Sequence, residues 1–170
     1  MQGLAERAEC ARVLFPGPGA HFLLPSSPPG LNCPMAAQIF RHQHRVHYAE
    51  CTVGNHVYYA RYLDWLEIAR GEFFRHLGAP FLQWQEKDTI FPVVECRLRY
   101  KAPARYDDLL TIELWLTALQ TIRVNFGYRI IGQSQTEIFE GSTLHVCTGL
   151  NEKPKRLPPE LSGLLQPYVT

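Results

Sequence analysis

The sequence predicts an α+β domain of two layers: one long helix against a single curved antiparallel sheet of about five strands. Three observations predict it. Only one segment, residues 58–77, sustains a 3.6-residue apolar period. Before it the period is two once, and after it four times. The links between the later strands are too short for crossovers, so neighbouring strands run antiparallel. A lone apolar helix face needs one sheet to cover it.

The elements follow in order. Residues 1–34 hold six prolines and four glycines, which block helix and sheet interior alike. A disordered leader is expected there, with Met35 as the natural start and the folded domain over 35–170. Residues 38–50 alternate, placing Phe40, His42, His44, Val46 and Tyr48 on one face. Residues 51–57 are rich in turn formers, with Gly54 and Asn55. In the helix, Tyr59, Tyr62, Leu63, Leu66, Phe73 and Leu77 form the apolar stripe with Ala69 flanking it, and Gly78 with Pro80 ends it. Val94, Cys96, Leu98 and Tyr100 then alternate with charged residues up to Pro103. Ile112 to Leu116 and Ile122 to Ile130 give two further strands. The last runs over 137–149, with Leu144 and Val146 inward and Gly141 a candidate bulge. Pro158-Pro159-Glu160 opens a short terminal helix.

Composition excludes several classes. Hydrophobic residues make up 46% and charged residues 19% of the 170, an ordinary globular balance. A net charge of +1 gives no basic field for nucleic acid, and no apolar run is long enough to span a membrane. Five scattered cysteines without a CxxC pair point away from disulfides and zinc, and toward a reducing cytoplasm. His42, His44 and His47 lack a nearby carboxylate or thiol at ligand spacing, so no metal is expected. A single sheet of this size leaves edges, and pairing with a second copy would extend it.

The segment Val46 to Arg75, VHYAECTVGNHVYYARYLDWLEIARGEFFR, resembles the hotdog-fold acyl-CoA thioesterases of the 4-hydroxybenzoyl-CoA thioesterase-like group. Val46, Tyr48, Glu50, Val57, Tyr59, Tyr62, Trp65, Glu67 and Arg70 stand in register with that pattern. RLRYKAPARYDDLLTIE is similar to the family's second strand, proline turn and third strand, and the likeness covers about residues 38–160. The resemblance implies a hotdog fold, in which the central helix is wrapped by the sheet. It also implies hydrolysis of an acyl-CoA or acyl-carrier-protein thioester by a cytoplasmic homodimer or homotetramer. No separate cofactor is implied, since CoA belongs to the substrate. The sequence departs from the pattern where it matters most: the usual catalytic aspartate falls on Thr52 and the usual glycine on Asn55. Glu50 to Tyr59 is similar to the same stretch of the enediyne polyketide thioesterases, which also lack the acid.

A thioester carbonyl must have its oxygen polarised while water attacks. A helix N-terminus offers unpaired N–H groups and positive potential for this, and the resemblance places the key amide at Tyr59. Water activation is open among Thr52, His56, Glu67 and Glu50. Glu67 would need desolvation to act as a base, and its alternative is a structural pair with Arg70. Thr52 can orient water by hydrogen bonding; His56 can act as donor or base, or merely cap the loop. Glu50 points either to the site or into the loop it leads. Arg97, Arg99 and Lys101 read as a solvated strand face, whereas Lys153, Lys155 and Arg156 are candidates for the phosphates of CoA or phosphopantetheine. The competing readings are a catalytically silent hotdog protein that binds acyl thioesters or serves as an assembly subunit, and a hotdog dehydratase using His56 and Glu67.

Overall fold

The computed structural model describes residues 37–170, so the leader expected over 1–34 lies outside the described residues. The elements are β1 (Phe40–Arg45), α1 (Arg61–His76), α2 (Phe81–Glu86), β2 (Val93–Tyr100), β3 (Leu109–Leu119), β4 (Arg123–Ile131), β5 (Glu137–Val146) and α3 (Pro159–Leu165). They form the expected two layers. The five strands make one antiparallel sheet in the order β1-β3-β4-β5-β2, and α1 lies against its inner face.

Alternation sets the core. Leu110, Ile112, Leu114 and Leu116 of β3 and Val124, Phe126, Tyr128 and Ile130 of β4 point inward onto Trp65, Leu66, Ala69, Phe73 and Phe74 of α1, all nearly free of solvent. On the outer face one row fixes the register. Glu113 of β3 accepts from Arg41 across on β1 at 3.0 Å and from Arg129 across on β4 at 2.6 Å, and the three are direct cross-strand partners. At the far end of the core, Leu161 and Leu165 of α3 are buried, and Tyr168 packs edge-on to Phe73 at 4.8 Å.

Several expectations are corrected. β1 ends at Arg45, because a 3₁₀ turn at Tyr48–Glu50 takes over and leaves Tyr48 exposed. The helix begins at Arg61, three residues later than its apolar period, and the segment before it is tied back by the Tyr58 amide donating to the Glu50 carbonyl at 2.9 Å. Its stripe is also rotated: Trp65 and Arg70 are buried, while Tyr59 and Leu63 are exposed. The short helix α2 had no signal in the sequence pattern. β5 ends at Val146, and its inward residues are Thr143 and His145 rather than Leu144 and Val146. Gly141 makes no bulge; it pairs in register with Leu98 and Tyr128. A side chain there would press on the Arg97 carbonyl at 2.9 Å, so a close backbone approach accounts for that glycine.

Candidate active site

The loop before α1 is built for close backbone work. The Asn55 amide donates to the Thr52 carbonyl at 3.2 Å, closing a turn with Gly54 at φ 90. Asn55 follows at φ 57, where the family pattern has glycine; asparagine is one of the few residues that tolerate this left-handed conformation. Its Oδ1 accepts from the Tyr106 amide at 3.0 Å and ties the loop to the β2–β3 turn. Thr52 closes the loop from the other side. Both its amide (2.7 Å) and its hydroxyl (3.1 Å) donate to the His56 carbonyl. The hydroxyl proton is therefore committed, and only its oxygen lone pairs face solvent.

The Glu50 carboxylate is engaged within its own loop and by the helix. Its Oε1 accepts from the Trp65 indole at 2.6 Å and its Oε2 from the His47 amide at 2.6 Å, with His44 at 3.1 Å. Burial raises its pKa, but the Trp65, His47 and His44 hydrogen bonds outweigh this and hold the carboxyl below its usual range. This carboxylate fixes the loop onto the helix.

At the helix tip the Val57, Tyr58 and Arg61 amides all have acceptors. Those of Tyr59 and Ala60 have none among the described residues. Tyr59 lines a groove of about 350 Å³, together with His56, Tyr62, Tyr100, Lys101 and Ala102. Tyr100 donates its hydroxyl to the Tyr59 carbonyl at 3.0 Å and steadies the tip from β2. Thr52, His56 and Tyr59 thus share one loop, with His56 and Tyr59 lining the groove itself.

Glu67 lies elsewhere in the same chain. Eight residues separate it from Tyr59, on the order of 10 Å along the helix axis. Its side chain is 65% exposed and paired with the guanidinium of Arg70, so within one chain it lacks the desolvation a base there would need. It opens onto a second cavity, of about 250 Å³, between α1, α2 and the sheet.

Behind Glu67 runs a buried polar chain that sequence reading missed. Arg70 donates to the Tyr128 hydroxyl at 2.9 Å; Tyr128 and Thr143 are 3.0 Å apart; Thr143 and His145 Nε2 are 2.9 Å apart. His145 Nδ1 meets the Phe91 carbonyl at 2.9 Å. Arginine can only donate and a carbonyl can only accept, so every proton in between has one direction. His145 is the Nδ1–H tautomer, Thr143 donates to its Nε2, and Tyr128 donates to Thr143. Burial pushes the His145 pKa down to about 4 and keeps the ring neutral. The available signal was the alternation of β5 read one residue out of phase, with His145 taken as outward.

The basic turn is partly committed. The Lys155 ammonium donates to the Asp88 carbonyl at 2.6 Å. Lys153 and Arg156 are exposed, and no ion pair engages either among the described residues. The turn follows β5 at its Val93 end, whereas Tyr59 contacts the Tyr100 end of β2. The outer-face cations are neutralised: Arg97 by Glu95, Arg99 by Glu140, Lys101 by Glu137 and Glu140.

A single helix seated in an antiparallel sheet, with free amides at its tip, is the hotdog architecture of acyl thioester chemistry. The chain belongs to the thioesterase-like superfamily, whose family pattern matches residues 46–165. It is 34% identical over 125 residues to the acyl-CoA thioester hydrolase YbgC of Escherichia coli O6:H1, covering 73% of this chain and 93% of that protein. Among solved structures it is similar to the hypothetical protein TT1821 of Thermus thermophilus, with a TM-score of 0.71 and 29% identity over 75% of this chain and 98% of that one. The dynemicin thioesterase shares the fold, with a TM-score of 0.72 at 22% identity over 78% of this chain and 99% of that one.

Proposed function

We propose that this protein hydrolyses an acyl-CoA or acyl-carrier thioester, with the carbonyl oxygen held by the Tyr59 amide. The observation that carries this reading is the acceptor-free amide of Tyr59, at the tip of α1 and on the wall of an open groove. As water adds to the carbonyl, negative charge grows on the oxygen; this amide and the positive end of the helix receive it. Collapse of the adduct breaks the C–S bond and releases the thiol and the free acid. The Thr52 oxygen accepts a hydrogen bond from the incoming water and orients it. His56, on the groove wall, and Glu67 are the candidates to take its proton.

Tyr59 and Glu67 of one chain are too far apart to serve the same carbonyl. The complete site is therefore shared between two copies. The free edge of β2 is the surface through which a second copy continues the sheet. Two-fold pairing runs the β2 strands antiparallel, so the partner's Val93 end lies beside the Tyr100 end. The partner's Glu67 and its basic turn, Lys153, Lys155 and Arg156, then approach the Tyr59 groove, and these cations meet the phosphates of the thiol carrier. The unpaired cysteines, Cys51, Cys96 and Cys147, suit a reducing cytoplasm.

The test is thiol release from an acyl-CoA panel by wild type, Thr52→Ala, His56→Ala and Glu67→Gln. Loss of one group that places or takes the proton lowers kcat by about 100-fold, with KM little changed. Tight thioester binding without any turnover would instead mark a silent binder.

A further inference from the structure

We propose that Glu50 is the positioning residue of the oxyanion-binding tip: with its carbonyl and its carboxylate it brackets Tyr59 on both sides and so sets the aim of the Tyr59 amide. This rests on the thioester reading for the reaction it serves, but one arm of its test does not. Upstream of Tyr59, the Glu50 carbonyl accepts from the Tyr58 amide at 2.9 Å, and the neighbouring Cys51 and Val57 form an antiparallel bridge. Downstream, the Glu50 carboxylate accepts from the indole of Trp65, a fully buried residue in the second turn of α1. One residue thus ties the chain just before Tyr59 to the helix that follows it. Thr52, two residues beyond Glu50, belongs to the same short hairpin, so the bracket also fixes the spacing between the Thr52 oxygen and the Tyr59 amide.

Only a carboxylate closes this bracket. All three of its side-chain partners donate: Trp65 Nε1 to Oε1 at 2.6 Å, and the His47 amide at 2.6 Å and His44 Nε2 at 3.1 Å to Oε2. An ionised carboxyl has no proton to give, so His44 carries its own on Nε2; its ring rests against Trp65 with centroids 4.6 Å apart. The donors come from β1, from the 3₁₀ turn and from α1, so three segments meet on one group. The Glu50 side chain is 16% exposed and that of His44 11%, so water is a poor substitute for any of them. A glutamine of the same shape keeps one oxygen for His47 and His44 but turns its NH2 toward the Trp65 N–H, leaving that buried donor unpaired.

Glu50 touches no reacting atom and acts through Tyr59. The tip amide matters most once charge has grown on the carbonyl oxygen, so a tilt of the hairpin weakens the transition state more than the bound ground state. Loss of the bracket therefore lowers kcat and spares KM, and a misplacement on the order of 1 Å is enough to cost about 100-fold. A residue that only held the fold together would lower the amount of folded protein and leave kcat per folded molecule alone.

The experiment compares full-length wild type, Glu50→Gln, Trp65→Phe and the double variant on the best substrate of the acyl-CoA panel. Glu50→Gln should lower kcat about 10- to 100-fold, with KM changed less than about threefold. Trp65→Phe deletes the donor that the glutamine NH2 would face, so in that background Glu50→Gln should cost less than about threefold further. Backbone amide hydrogen exchange is read on the same proteins without substrate. The Tyr58 amide should exchange about tenfold faster or more in Glu50→Gln, while the amides of β3 and β4 keep their protection. An unchanged kcat, a kcat loss matched by an equal change in KM, an equal cost of Glu50→Gln in both backgrounds, or Tyr58 exchange that moves only together with β3 and β4 would overturn the proposal. Wild type that cleaves no thioester removes the enzyme reading, and the exchange arm then decides the bracket by itself: local acceleration at Tyr58 upholds it, and none removes it.

Discussion

At the residue scale, two titratable side chains do structural work that their chemistry alone would not suggest. Glu50 is spent holding Trp65, His47 and His44, and His145 is a neutral link in a one-way chain. Their effects on stability fall in different pH windows. Unfolded, the His145 ring takes a proton near 6.5; folded, only near 4. The unfolded state therefore binds more protons between those values. The stability that His145 confers is complete above pH 6.5 and declines as pH falls toward 4, by up to about 1.4 kcal/mol per pH unit. Burial lowers the His42 pKa too, giving a contribution of the same sign. Glu50 acts lower: its folded pKa lies below the ordinary value of 4.5, so its stabilisation is present above that value and is lost as pH falls through the folded pKa. Urea midpoints of wild type should drop between pH 7 and pH 5, and His145→Gln should show a shallower drop. An unchanged slope in that variant would refute the assignment.

At the element scale, β2 is the strand with the most to reveal. It pairs with β5 on one side only, and all but one of its residues are exposed. The Lys101 amide donates into β5 at the Ile138 carbonyl, so by the period of two the Leu98 amide points to the open edge. Leu98→Pro removes an outward donor and leaves the β5 ladder intact. Sedimentation of this variant should show a monomer where wild type is a dimer or larger. Far-UV circular dichroism should change little, and thiol release should fall with the loss of the shared site. A variant that stays associated through β2 would contradict this arrangement. The same logic explains why Val94, Cys96 and Tyr100 alternate like a covered strand yet stand exposed within one chain.

At the scale of the whole molecule, the proposed division of the site between two copies makes a quantitative prediction. If the site is divided as proposed, His56→Ala and Glu67→Gln damage opposite halves of it. Mixed after denaturation and refolded together, they should give about half heterodimers, each with one intact site. Activity should return to about a quarter of wild type, although each parent alone is nearly inactive. No recovery on mixing, with heterodimers confirmed by mass, would mean that both residues serve the same carbonyl within one chain.

What the sequence determined by itself was the architecture. One 3.6-period segment among five period-two segments leaves few ways to bury an apolar stripe, and the chain adopts the expected one. The residues in register from Val46 to Arg70 also gave the order of turn and helix, because a turn followed by a helix is local chemistry, although the helix starts three residues later than its apolar period. Tertiary structure decided the rest. It rotated the helix so that Arg70 went inside, and it set the phase of β5 so that His145 went inside, both paired along one polar chain. A sequence pattern counts polar residues as outward, and only the partner brought from a distant strand makes a buried charge or imidazole tolerable. Glu50 could not be assigned from its own segment, since its donors come from His47 beside it, from His44 of β1 and from Trp65 in the second turn of α1.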